Sequence, residues 1–176
     1  ERLFTPNCQM TYDSTPMRLG NDPRILPGPE DTYSSYDVQW ANVSNTPFRM
    51  YKRWVHEGGI STPFIIHWPD KIVESGVIHE PVQIIDIPAT CIDLSQSTYP
   101  SEFNGNTITP IEGESFMSLI DGLSWRREKP IYWEHEGHRA LRRGRWKLVA
   151  EHNQPWELYD MLEDRTELND LSEMES

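Results

Sequence analysis

Lys52, His56 and Glu57 lie in one short stretch that runs into Gly58-Gly59 and then Ile60-Ser61-Thr62-Pro63. Paired glycines let a chain fold back sharply, so an ammonium just before them can be held near one point in space. Such a cation suits an anionic substrate group, and it lowers a barrier wherever negative charge spreads over oxygens in the transition state. The plain alternative is an exposed helix lysine beside Arg49 and Arg53. His56 titrates near neutrality and could donate a proton or a hydrogen bond, or simply order the turn. Glu57 reads as structural, an acceptor for backbone N–H groups of the bend. Further along, Trp133-Glu134-His135-Glu136-Gly137-His138-Arg139 reads as a loop whose donors and acceptors can bind sugar hydroxyls or a second anion, with His135 and Arg139 as the candidate contacts. An exposed polar hairpin is the competing reading there. His135 and His138 lack two further ligands at a recognisable spacing, so no metal site is assigned.

Other elements must position these groups. Residues 1–35 carry Pro6, Pro16, Pro23, Pro27 and Pro29 among Asn, Asp, Ser and Gly, which predicts a long irregular excursion. A short turn follows over 36–43, with Trp40 covering apolar surface. Pro47 is placed to open a short helix over 48–54 that Gly58 and Gly59 end. The apolar run 64–68, bounded by prolines, fits a central strand buried on both faces. Pro88 opens a helix over 89–94 that turns Ile92 and Leu94 inward, residues 95–111 form a loop, and 115–120 form a short helix before the turn at Asp121-Gly122. Beyond it, runs at 131–133, 139–142, 146–149 and 157–160 predict a small antiparallel sheet, with Arg143-Gly144-Arg145 as one tight turn. Residues 166–171 close the chain as a short turn or helix. The division is therefore 1–122, a piece of a larger α/β domain with 1–35 irregular, and 123–176, a small antiparallel subdomain.

The stretch from Lys52 through His56-Glu57-Gly58-Gly59 to Trp68-Pro69 resembles the type I sulfatases (arylsulfatases). Two further blocks are similar to that family in the same order. One is Asp86-Ile87-Pro88-Ala89-Thr90 with Glu112-Gly113-Glu114-Ser115, and the other is the C-terminal sheet, including Trp146-Lys147-Leu148-Val149 and Trp156-Glu157-Leu158-Tyr159-Asp160. The resemblance implies an alkaline-phosphatase-like α/β fold, of which this chain is the C-terminal part. It also implies that Lys52 contacts the sulfate of a sulfated small molecule or glycan, with His56 as a second catalytic candidate. The family nucleophile is a formylglycine made from cysteine in a Cys-x-Pro-Ser-Arg segment, and neither Cys8 nor Cys91 stands in such a setting. The nucleophile and the calcium ligands are thus expected upstream, on a missing N-terminal portion of the same fold, and the chain alone is expected to be inactive. A periplasmic, secreted or lysosomal setting goes with the family. The rivals are a phosphodiesterase or phosphonate hydrolase of the same superfamily and a noncatalytic glycan-binding remnant.

Composition limits the rest. The formal charge of −12 argues against general affinity for nucleic acid or anionic membrane. An anion must then meet local cations, and Arg126, Arg127, Lys129, Arg139, Arg142, Arg143, Arg145 and Lys147 crowd one interval, although most such charges end as solvated faces or pairs. The apolar fraction of 36% is modest, and no stretch approaches the roughly 20 apolar residues of a membrane helix. Two cysteines fix no disulfide. Asn42-Val43-Ser44 is a glycosylation sequon, meaningful only in a eukaryotic secretory setting.

Overall fold

The computed structural model describes residues 9–20, 22–34 and 37–173. Cys8 and Tyr36 lie outside them. The chain forms two compact units, Glu1–Thr46 and Pro47–Ser176, so the division expected after Gly122 falls inside the second.

In the first unit, proline and glycine leave little regular structure. β1 (Arg18–Leu19) and β2 (Thr32–Tyr33) pair in parallel, and the Arg18 guanidinium reaches Asp31 at 2.8 Å beside them. Where only a turn was expected, α1 (Val38–Asn45) forms. Asp37 accepts the Val38 N–H at its start, and Ala41 is its buried residue. Trp40 does not cover apolar surface within this unit and is 64% exposed.

In the second unit, Pro47 does not open a helix. Residues 48–54 are an irregular loop, and Met50 (φ 66°) and Arg53 (φ 132°) occupy backbone geometry that a right-handed helix excludes. The helical turn comes later, as α2 (Glu57–Ile60), with Gly58 and Gly59 inside it. α3 (Asp86–Leu94) starts ahead of Pro88, whose missing N–H is tolerated in a first turn. It buries Asp86, Ala89 and Thr90, whereas Leu94 is exposed, so the predicted inward face is rotated. The loop expected over 95–111 contains a small hairpin, β3 (Glu102–Phe103) with β4 (Asn106–Thr107), and α4 (Met117–Ile120) follows.

The run 64–68 is not a strand. It makes no sheet pairing among the described residues, and Ile65 is 86% exposed. A buried strand needs neighbours on both edges, and the described residues supply neither.

The sheet is as the alternation predicts. β5 (Ile131–His135), β6 (His138–Arg143), β7 (Trp146–Ala150) and β8 (Glu157–Asp160) pair antiparallel in chain order. Glu136 (φ 52°) and Gly137 (φ 84°) make the two-residue turn between β5 and β6, so the stretch 133–139 is a hairpin end and not a loop. The inner face contributes Ala140, Val149 and Tyr159 to a core completed by Val55 and Met161, with Ile60 and Trp133 packed against it. That core brings the residues around α2 onto the sheet.

Candidate functional site

The loop that carries Lys52 lies directly on the backbone of α2. A Cβ on Gly58 would come within 2.3 Å of the Arg49 and Met50 carbonyl oxygens, and one on Gly59 within 1.9 Å of the Trp54 oxygen. The glycines therefore serve close backbone approach, which only a residue without a side chain allows. The Gly58 N–H donates to the Arg49 carbonyl at 3.1 Å, and the Trp54 N–H donates to that of Tyr51 at 3.1 Å. Lys52, between these points, has an exposed side chain.

Both ends of this loop are fastened to the C-terminal segment. Arg49 Nη1 donates to the Glu167 carbonyl at 2.9 Å and to the Tyr159 hydroxyl at 3.2 Å. The Glu57 N–H donates to Glu167 Oε2 at 2.8 Å. Lys147 Nζ lies 3.0 Å from Glu57 Oε1 and 2.7 Å from Glu167 Oε1, with the lysine side chain fully buried. Arg165 adds a second cation 3.3 Å from Glu57 Oε2. Burial pushes the Glu57 carboxyl up, but Lys147, with Arg142 and Arg165, outweighs it and holds the group below its ordinary value. Glu57 is structural, through this ion cluster rather than through the N–H groups of its own bend.

His56 is sealed inside. Its Nε2 lies 3.1 Å from Glu157 Oε2, which also accepts from the Tyr159 hydroxyl at 2.7 Å. The ring Nδ1 has no hydrogen-bond partner among the described residues. Burial and the hydrogen bond to Glu157 push the Tyr159 phenol well up. His56 faces the sheet and not the solvent beside Lys52.

The hairpin of His135 meets the same loop. Arg53 Nε is 2.8 Å from Glu136 Oε2, the Trp54 ring stands 5.9 Å from that of His138, and Trp54 Nε1 donates to Glu151 at 3.1 Å. His135 is exposed at the end of β5, while His138 is buried, its Nδ1 accepting the His152 N–H at 3.2 Å. Arg139 is exposed on β6 and covers the Trp156 ring at 5.2 Å. A groove of about 490 Å³ there is lined by Tyr132, Trp133, Glu134, Arg139, Leu141 and Trp156. Residues 52 and 135 are thus joined through Arg53 and Glu136, while Arg139 belongs to the groove.

The cation-rich interval does not form one anion site. Arg127 is buried against Asp86, Arg145 pairs with Asp160, and Lys147 is consumed by the cluster. Sequence reasoning counted Lys147 only among the crowded cations, and it missed Arg165 and Glu167. Alternation in Trp146-Lys147-Leu148-Val149 offered a signal for the first, since it puts Lys147 on the side of buried Val149. Asp86 is the second junction. It accepts from the N–H groups of Gln83 at 2.6 Å and Glu114 at 2.8 Å, stitching the Glu112-Gly113-Glu114-Ser115 segment to α3. Cys91, on α3, is a free exposed thiol. Among the described residues no group of three or more His, Cys, Asp or Glu side chains is arranged to hold a metal ion. They do not fit the calcium that the resemblance implies. Among the same residues no helix is long and apolar enough to cross a membrane.

Comparison with known proteins gives a consistent result. The profile of the family described as N-sulphoglucosamine sulphohydrolase, C-terminal, matches residues 48–176. An uncharacterized sulfatase of Schizosaccharomyces pombe is 29% identical over 170 residues, covering 93% of this chain and 29% of the relative. An N-acetylglucosamine-6-O-sulfatase of Bacteroides thetaiotaomicron is 26% identical over 68% of this chain and 23% of its own length. The chain therefore spans less than a third of these relatives. Among solved structures, Ps i-CgsB in complex with k-i-k-neocarrahexaose is 25% identical and covers 55% of this chain and 21% of that chain, with a TM-score of 0.42.

Proposed function

The chain belongs to the sulfatase family as a C-terminal portion of its alkaline-phosphatase-like α/β fold, and on that premise we propose that it supplies the sulfate-contacting lysine of an enzyme that hydrolyses a sulfate ester. The carrying observation is the exposed amine of Lys52 on a loop whose backbone is seated against Gly58 and Gly59. A compact ammonium is suited to a single sulfate oxygen, and holding it in place before the reaction is what lets it stabilise developing charge. His135 and Arg139 are the proposed contacts to the rest of the substrate, a sulfated sugar in view of the names of the relatives. His56 enters as a support of the turn, acting through Glu157.

Formylglycine would supply the nucleophile and calcium would neutralise charge on the sulfate. The proposal assigns both to a part of the longer protein preceding this chain. The exposed apolar side chains of Ile65, Val73 and Ile84 are its proposed contact face for that part. The relatives compared above are all called sulfatases, which favours sulfate over the phosphate esters of the rival hydrolases.

An aryl sulfate assay with calcium tests the reading in two forms. The purified chain should show no turnover, and turnover that Lys52→Ala abolishes would overturn the division of labour. In a longer protein containing this chain, Lys52→Ala should cut kcat/KM by about 10²-fold or more. Unchanged kcat/KM would remove Lys52 from the reaction.

A further inference from the structure

We infer that Lys147 is a positioning residue for Lys52, the buried cation that locks the lysine-bearing loop to the antiparallel sheet. This rests on the reading of Lys52 given above. In β7 the side chains alternate exposed and buried, so Lys147 occupies an inward position between its register partners Arg142 and Tyr159. Packing alone would be met by leucine or methionine. A fully buried ammonium is costly unless paired, and here it bridges two carboxylates that are themselves sealed from solvent, Glu57 and Glu167.

One of them, Glu167, holds both ends of one segment. Glu57 opens α2, and Glu167 accepts the Glu57 N–H while its backbone carbonyl accepts from Arg49. Lys147 thus fixes the turn that presents both contacts, and Lys52 lies between the two anchored residues. The coupling to the loop has little slack, because α2 and the carbonyl oxygens of residues 49–54 meet at the two glycines without room for a methyl group. The groups facing the lysine are Glu57, Glu167 and, through Glu57, Arg165 and Arg142. Removing its charge leaves the two acids together, Glu57 with Arg165 as its remaining ion-pair partner and Glu167 without the ammonium that neutralised it.

Amide hydrogen exchange and backbone relaxation on this chain test the inference. In Lys147→Met, the Glu57 and Gly58 amides should exchange roughly tenfold or more faster, and the Lys52 amide should gain fast motion. The ladder amides of Leu141 and Leu148 should keep their protection. Unchanged exchange at Glu57 and Gly58 would overturn the inference, as would uniform acceleration across the sheet, which marks an ordinary core residue. If Lys147→Met does not fold, Glu167→Gln is read at the same amides against the same two outcomes. No turnover is measured, so loss of this inference leaves the sulfate reading standing, and failure of that reading shows in the turnover assay and not at these amides.

Discussion

Two parts of the second unit start from similar apolar content and end differently. Residues 131–160 close into a four-stranded sheet whose inner face is buried against Val55 and Met161. Residues 64–85 stay extended or irregular before α3, with Val73 91% and Ile84 80% exposed. Composition does not separate them. The sheet pairs strands that follow one another in sequence, through two two-residue turns and one six-residue connection, whereas a strand buried on both faces depends on neighbours that are distant in sequence. The closed region is therefore decided locally. The open one finds no such pairing among the described residues.

The sharpest way to break that contrast is at Asp86, where the end of the open region is fastened to Glu114 and Arg127 on the stretch that leads into the sheet. Asp86→Ala strips the partner of buried Arg127 and the acceptor of two backbone N–H groups. It should cost about 3–5 kcal/mol in urea unfolding, and a loss below 1 kcal/mol would mean that the two regions hold independently. Gly59→Ala is expected next, at about 1–3 kcal/mol by thermal unfolding, because the added carbon meets the Trp54 carbonyl at 1.9 Å. A neutral result would show that the loop carrying Lys52 yields easily.

Acid gives a smaller effect of defined sign. The Glu57 carboxyl lies below its ordinary value in the folded chain, so its contribution to stability is present above the unfolded value of about 4.3. That contribution is lost as pH falls through the folded value. Glu57→Gln should flatten the acid limb of a stability profile below about pH 4, and an unaltered limb would place the acid sensitivity elsewhere. The smallest effect belongs to the open region. Ile65→Ser, Val73→Ser and Ile84→Ser should each shift the unfolding free energy by no more than about 0.5 kcal/mol. Together they should reduce self-association in sedimentation. A loss above 1 kcal/mol from any one would mean that the region is packed after all.

The sheet was legible because period-two alternation and glycine turns are local properties of the chain. The candidate site was legible only in part. Lys52 and the glycine pair stood out by type and spacing, but the glycines serve a backbone contact with residues 49–54, and no local rule reports a contact made after the chain has folded back. The helix predicted over 48–54 failed for that reason, since the loop bends through positive φ at Met50 and Arg53 to reach α2. His56 read as a donor or a support of the turn and Glu57 as an acceptor for its own bend, whereas folding buried both against the sheet and the C-terminal segment.

By itself the sequence determined the antiparallel sheet, the family resemblance and the residue types able to meet an anion, because each is written in neighbouring positions. Tertiary structure alone decided which cations are available. Lys147 and Arg127 are spent on buried carboxylates and Arg139 lies over Trp156, while Lys52 is left facing water. Whether a charge is paired depends on residues 90 or 108 positions away, and that distance closes only in the folded chain.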